Sequence, residues 1–142
     1  MIYFLDASAL VKRYIREPGS DVVRSLGRKR RLAASRISAV EVAAALWRRS
    51  REGDVTAAAV RSCLARLAAD LVEIDIVEPR GAVLDIAAEL VSRHPLRAYD
   101  AVQLASALRL ARSTRMALTF ACADAKLCTV AARERVRSLR VG

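Results

Sequence analysis

Five short runs of mainly apolar or β-branched residues punctuate this chain: 2–5 (IYFL), 31–35 (RLAAS), 71–77 (LVEIDIV), 116–120 (MALTF) and 136–141 (VRSLRV). Between them lie longer stretches with helical spacing, at 8–16, 20–28, 38–51, about 56–69, 79–92, 97–112 and 125–134. Strands separated by helices are joined by crossovers, which make neighbouring strands parallel and cover both faces of the sheet. The pattern therefore predicts an α/β sandwich. In such sheets ligands bind beyond the carboxyl ends of the strands, near the point where strand order reverses. A chain of 142 residues can bury a sufficient core without a metal or disulfide staple, and no linker, repeat or low-complexity segment divides this one. Residues 1–142 are expected to form one domain.

Charge is the strongest compositional signal. Lys and Arg number 25 against 15 Asp and Glu, a formal net charge of +10, which suits a polyanionic partner such as nucleic acid and equally a basic surface that only aids solubility. Three cysteines, Cys63, Cys122 and Cys128, form no C-x-x-C pair and read as small core residues in a reducing compartment. The single histidine, His94, precedes Pro95 in a loop and reads as structural, since no Ser or Cys partner stands beside it. No apolar run is long enough to span a bilayer, and Asp6 interrupts the place where a signal peptide needs its apolar core. A cytoplasmic location is expected.

Most acids stand in turns or beside basic residues, as solvated charges do: Glu17, Asp21, Glu52, Asp54, Asp70 and Glu134. Four do not. Asp6 ends the first strand run, where burial penalises a carboxylate, although DASAL also permits a helix N-cap. Glu41 lies three residues after Ser38, a spacing that fits a capping box as well as a ligand. Asp100 heads the stripe Leu104 and Leu108 and so faces the apolar side of its helix, although an acid in a first turn also suits the helix dipole. Asp124 follows the fourth strand run as Asp6 follows the first, and is open to an N-cap role as well. Carboxylates after two strands and at the heads of two helices converge on one point if the sheet is parallel. Clustered carboxylates raise one another's pKa unless a cation neutralises them, and hard oxygen ligands select Mg²⁺ or Mn²⁺. Open positions on such an ion are what phosphodiester hydrolysis uses.

The stretches FLDASALVKRYIREPGS, ISAVEVAAALWRR, LRAYDAVQLASAL and TFACADAKL together resemble, in order and spacing, the motif regions of PIN-domain proteins, in particular VapC-type toxins of bacterial toxin–antitoxin pairs. The resemblance implies a five-stranded parallel sheet in a three-layer α/β/α sandwich and a Mg²⁺- or Mn²⁺-dependent endoribonuclease. It places the four acids of the site on Asp6, Glu41, Asp100 and Asp124, as metal ligands and catalytic residues, with Ser8 as the hydroxyl beside the first. It further implies a VapB-like antitoxin, a homodimer, and transfer or ribosomal RNA as substrate. Basic residues at Lys12, Arg13 and Arg16, the run 28–31, and Arg48, Arg49 and Arg51 are candidates for holding RNA. Two rival readings stand beside this one. A phosphotransfer or receiver domain needs a second acid close to the nucleophilic Asp, which DASAL lacks. A non-catalytic basic RNA-binding or interaction module would use the four acids as caps.

Overall fold

A computed structural model describes residues 1–28 and 30–142. The strands are β1 (Ile2–Leu5), β2 (Arg31–Ser35), β3 (Asp75–Val77), β4 (Leu118–Cys122) and β5 (Arg137–Arg140). The helices are α1 (Ala7–Leu10), α2 (Ser20–Leu26), α3 (Ser38–Arg51), α4 (Ala57–Glu73), α5 (Gly81–Arg93), α6 (Ala98–Thr114) and α7 (Ala125–Arg133), with a 3₁₀ turn at Val11–Arg13. The strands form one five-stranded sheet in the order β3-β2-β1-β4-β5, every pair parallel. The predicted parallel α/β sandwich is the observed one.

Alternation along the strands builds the two outer layers. Ile2 and Phe4 face one side, where Phe4 stacks on Phe120 with ring centroids 5.8 Å apart and Leu90, Leu104 and Leu127 of α5, α6 and α7 close over them. Leu5 belongs to the other side, under Leu10, Val42, Leu46, Val60 and Leu67. Both faces of β1 and β4 are therefore dry, which is why these strands read as continuous apolar runs. The strand order reverses between β1 and β4, because β1 leads to β2 on one side while β4 docks on the other. The backbone carries the pairing one step past the end of β1: the Asp6 amide donates to Ala121 O at 3.1 Å.

Several boundaries differ from the sequence reading. Leu71–Glu73 complete α4 instead of opening β3, because Val60, Leu64, Leu67 and Leu71 continue one apolar helical stripe. β4 starts two residues late, at Leu118, since α6 extends to Thr114. The helix expected over 8–16 is one α turn followed by a 3₁₀ turn. Ser20 is not the cap of α2: Gly19 holds that position at φ 90°, and the Ser20 hydroxyl donates to Ile15 O and accepts from the Glu17 amide. Gly19 is required there, because a Cβ would meet Val141 C at 2.8 Å in a left-handed conformation that already disfavours side chains.

Three acids expected to be solvated are part-buried and held by partners. Asp70 takes Arg13 and the Tyr14 hydroxyl, Glu17 takes Lys12 and Arg49, and Glu134 takes Arg93 and lies 2.6 Å from His94 Nε2. The last contact gives His94 the structural place expected of it. Among the described residues the cysteines are unpaired, and no helix is long and apolar enough to cross a membrane.

Candidate functional site

Parallel strands all point the same way, so the residues that follow β1 and β4 emerge side by side at one edge of the sheet. Asp6 stands in the first of these positions, 4% exposed. Its Oδ1 accepts from the Ala9 amide at 2.8 Å and from the Ser8 hydroxyl at 2.7 Å, so the N-cap and the buried acid are the same residue. Ser8 Oγ in turn accepts from the Ala123 amide at 2.9 Å. One hydroxyl thus ties the end of β1 to the loop that carries Asp124. Asp124 caps α7, its Oδ1 accepting from the amides of Lys126 at 2.7 Å and Leu127 at 3.2 Å.

Asp6, Ser8, Asp100 and Asp124 line one hollow, together with Arg97, Lys126 and the turn at Pro95–Leu96. Glu41 adjoins this group through Gln103. The Gln103 amide nitrogen donates to Ser38 Oγ at 2.9 Å and reaches Glu41 Oε1 at 3.5 Å. Ser38 therefore makes no capping box: Ile37 occupies the cap position of α3 without a side-chain bond, and Ser38 faces α6 instead. That removes the capping explanation for Glu41.

The electrostatics are those of crowded acids. Burial pushes the Asp6 carboxyl up to about 7 from an ordinary 3.8, against the pull of its bonds to Ser8 and Ala9, and the charges of Asp100 and Glu41 push it further in the same direction. Glu41 is raised chiefly by burial, with the charge of Asp100 adding to it. Asp100 is raised by burial and then by Asp124, while Arg97 opposes. Each acid thus disfavours ionisation of the next.

Such a donor set fits a hard divalent cation. All four ligand candidates offer carboxylate oxygen, both recorded bonds of Asp6 fall on Oδ1 and spare Oδ2, and the mutual repulsion is what an ion would relieve. Among the described residues, no three His, Cys, Asp or Glu side chains lie close enough to hold one ion together. The fit is to an ion that keeps part of its water shell, as Mg²⁺ does when one or two carboxylates bind it.

The basic residues are distributed differently from the sequence expectation. Lys12 is not a surface cation: it is 6% exposed, and its Nζ donates to Glu17 Oε1 at 2.9 Å and Pro18 O at 2.8 Å. Arg13 is engaged with Asp70 and lines hollows at the opposite edge of the sheet, beside the start of β2 and β3. Arg16 is exposed, pairs with Asp21 at 3.3 Å, and lies outside the carboxylate hollow. Arg49 binds Glu17 and Asp54, while Lys29 of the run 28–31 lies outside the described residues. The cations that do flank the acids, Arg97 and Lys126, escaped the sequence reading, as did Gln103. A signal existed for two of them: Arg97 and Gln103 stand three residues either side of Asp100, on its own face of the helix.

A family model described as PIN domain matches residues 3–133. The chain belongs to this family. Ribonuclease VapC46 of Mycobacterium tuberculosis is 39% identical over 108 residues, which span 75% of either protein. Among solved structures, PAE2754 from Pyrobaculum aerophilum is 25% identical with a TM-score of 0.65, covering 92% of this chain and 79% of that one. VapBC2 from Rickettsia felis, crystallised with a DNA fragment from its promoter, shares the fold at a TM-score of 0.65 and 14% identity, covering 99% of this chain and 98% of that one. Asp6, Glu41, Asp100 and Asp124 all fall within the matched residues.

Proposed function

We propose that this chain is a cytoplasmic, Mg²⁺- or Mn²⁺-dependent endoribonuclease and the toxin half of a VapBC-type pair. The observation that carries the reading is the meeting of Asp6, Asp100 and Asp124 around one hollow, with Glu41 electrically coupled to the first two, in a chain 39% identical to a protein named Ribonuclease VapC46. Asp6, Glu41 and Asp100 would hold the ion, partly through water, with Asp124 beside Asp100. Held there, such an ion would lower the pKa of a water for attack and would balance the negative charge of the phosphate.

The chain's own residues do the positioning. Ser8 fixes the Asp6 carboxylate and clamps the loop of Asp124 to it. Gln103 orients Glu41 from the neighbouring helix. Arg97 and Lys126 border the hollow, where a phosphodiester oxygen would find charged donors. The same acidic hollow suits an arginine from a small antitoxin, a bidentate contact that would exclude the ion and inhibit the enzyme. A homodimer completes the proposed assembly, to be checked by its mass in solution.

The decisive assay is cleavage of labelled RNA by purified protein. Cleavage should stop in EDTA, return with Mg²⁺ or Mn²⁺, and fall by orders of magnitude in Asp100→Asn while the variant keeps its parental fold. Undiminished cleavage in excess chelator, or near-parental cleavage by a folded Asp100→Asn, would overturn the mechanism.

A further inference from the structure

The net charge of +10 does not surround the acidic hollow. A set of arginines lies at the other end of the strands. Arg13, Arg24 and Arg66 line one hollow there, and Arg13 also lines the next, with Arg30 and Arg31 at the start of β2. Arg31 then reaches the Met116 sulfur at 3.4 Å, and Met116 lines a third hollow with Arg135 and Arg137 at the start of β5. The result is a continuous arginine band across the amino edge of the sheet.

Three acids line the same hollows. Asp70 is occupied by Arg13 and Tyr14, and Asp75 by Arg31, which leaves Glu73. Among the described residues, no carboxylate lies within ion-pair distance of Arg24, Arg30, Arg66, Arg135 or Arg137. Two of these guanidinium groups are held over tyrosine rings, Arg30 over Tyr3 at 5.7 Å and Arg66 over Tyr14 at 5.6 Å, so they are oriented without being neutralised.

A second observation concerns the backbone. Only two non-glycine residues have positive φ among the described residues: Arg115 at 55° and Arg135 at 61°. Both follow a helix and lead into a strand at this same edge, positions where a left-handed residue is usually glycine. The chain keeps arginine at both, against the backbone preference. Charge at this edge is the feature those two residues share.

From these two observations we propose that the arginine band is a second RNA-binding face, which grips the sugar–phosphate backbone of a structured RNA at the end of the molecule remote from the carboxylates. The two sites are separated by the length of the strands, ~15 Å for four or five residues, a span that a folded RNA can bridge. Spaced, unpaired guanidinium groups match a chain of phosphates, to which arginine binds as a fork. The proposal rests on the ribonuclease reading for its choice of RNA, and its test is arranged so that the two can fail separately.

The probe is a fluorescent stem–loop RNA, titrated in EDTA over a series of salt concentrations. Two variants remove charge from the band, Arg30→Gln/Arg137→Gln and Arg115→Gly/Arg135→Gly. A third, Arg61→Gln/Arg109→Gln, removes the same charge from the exposed faces of α4 and α6. The band variants should bind about tenfold more weakly, with the slope of log K against log salt reduced by up to ~2, and the control should stay near the parent. The glycine variant should melt at or above the parental temperature, because the left-handed conformation suits glycine. Equal losses in the control, unchanged binding in the band variants, or band-dependent binding to phosphatidylglycerol vesicles without RNA binding would each overturn the proposal. Cleavage with Mg²⁺ is scored separately: a protein that cuts RNA but binds it without the band refutes only this inference. A protein that binds through the band and never cuts supports the band and refutes the nuclease.

Discussion

Replacing Asp6 by Asn should make the metal-free protein more stable at alkaline pH. The carboxyl stands at about 7 in the folded protein against an ordinary 3.8, so the folded state holds its proton more tightly than the unfolded chain does. Its contribution is therefore complete below about pH 4 and is lost as pH rises toward 7 and just beyond, where folding must bury a charged group. A shift of this size corresponds to about 4 kcal/mol as an upper bound, or on the order of 10 °C in melting temperature for a chain of this length. Asn keeps an Oδ1 to accept from Ser8 and Ala9, so the difference isolates charge from hydrogen bonding. The assay is a set of thermal melts of parent and Asp6→Asn from pH 5 to pH 8 in EDTA. The gap between them should widen with pH in favour of the variant, and Mg²⁺ at pH 8 should raise the melting temperature of the parent far more than that of the variant. Parallel pH profiles would refute the account of Asp6 as a buried acid stabilised by a cation.

Two further substitutions probe the surroundings of the site. Gln103→Met removes the donor shared by Ser38 and Glu41 and should cost about 1–2 kcal/mol in urea unfolding, with a larger proportional loss of cleavage than of RNA affinity. Lys12→Met should cost about 1–3 kcal/mol, because Pro18 O loses its donor and Glu17 keeps only Arg49, and should leave RNA affinity in EDTA within twofold of the parent. A Lys12 variant that folds normally and binds RNA poorly would return that residue to the binding surface.

What the sequence reveals most clearly is what it repeats locally. β1 is legible because both of its faces are dry, and Asp6 because a carboxylate abruptly ends that dry run. α3 and α6 declare themselves by length and stripe, which puts Glu41 and Asp100 one turn from their helix starts and near the carboxyl edge. The failures involve contacts distant in sequence. Lys12 looks like one more surface cation until Glu17 and Pro18 fold back on it. Asp70 looks solvated until Arg13 and Tyr14, more than fifty residues earlier, reach it. Strand β3 is shortened by the helix before it: an alternating run of seven residues yields three paired positions because its first three residues complete α4. Ser38 and Glu41 carry the spacing of a capping box, yet Gln103 from another helix takes the serine for itself. Local spacing cannot anticipate that competition.

The two edges of the sheet explain how a protein with net charge +10 can keep an acidic hollow at all. Were the arginines packed around Asp6, Glu41, Asp100 and Asp124, each acid would be drawn into a salt bridge and its pKa lowered, and a divalent ion would have to displace those partners before it could bind. The observed directions are upward for Asp6, Glu41 and Asp100, and the cation named among their influences is Arg97, acting on Asp100. The arginines of the band, at the amino edge, stand about a strand length away. At that distance, beyond the Debye length of physiological salt, they barely perturb the site. They still contribute to the field that draws a polyanion toward the molecule. Parallel strands make this separation available, since every strand begins at one edge and ends at the other, so residues before strands and residues after strands never mix. Arg30, Arg115 and Arg135 precede strands and Asp6 and Asp124 follow them, so for these residues order along the chain becomes position at one edge or the other.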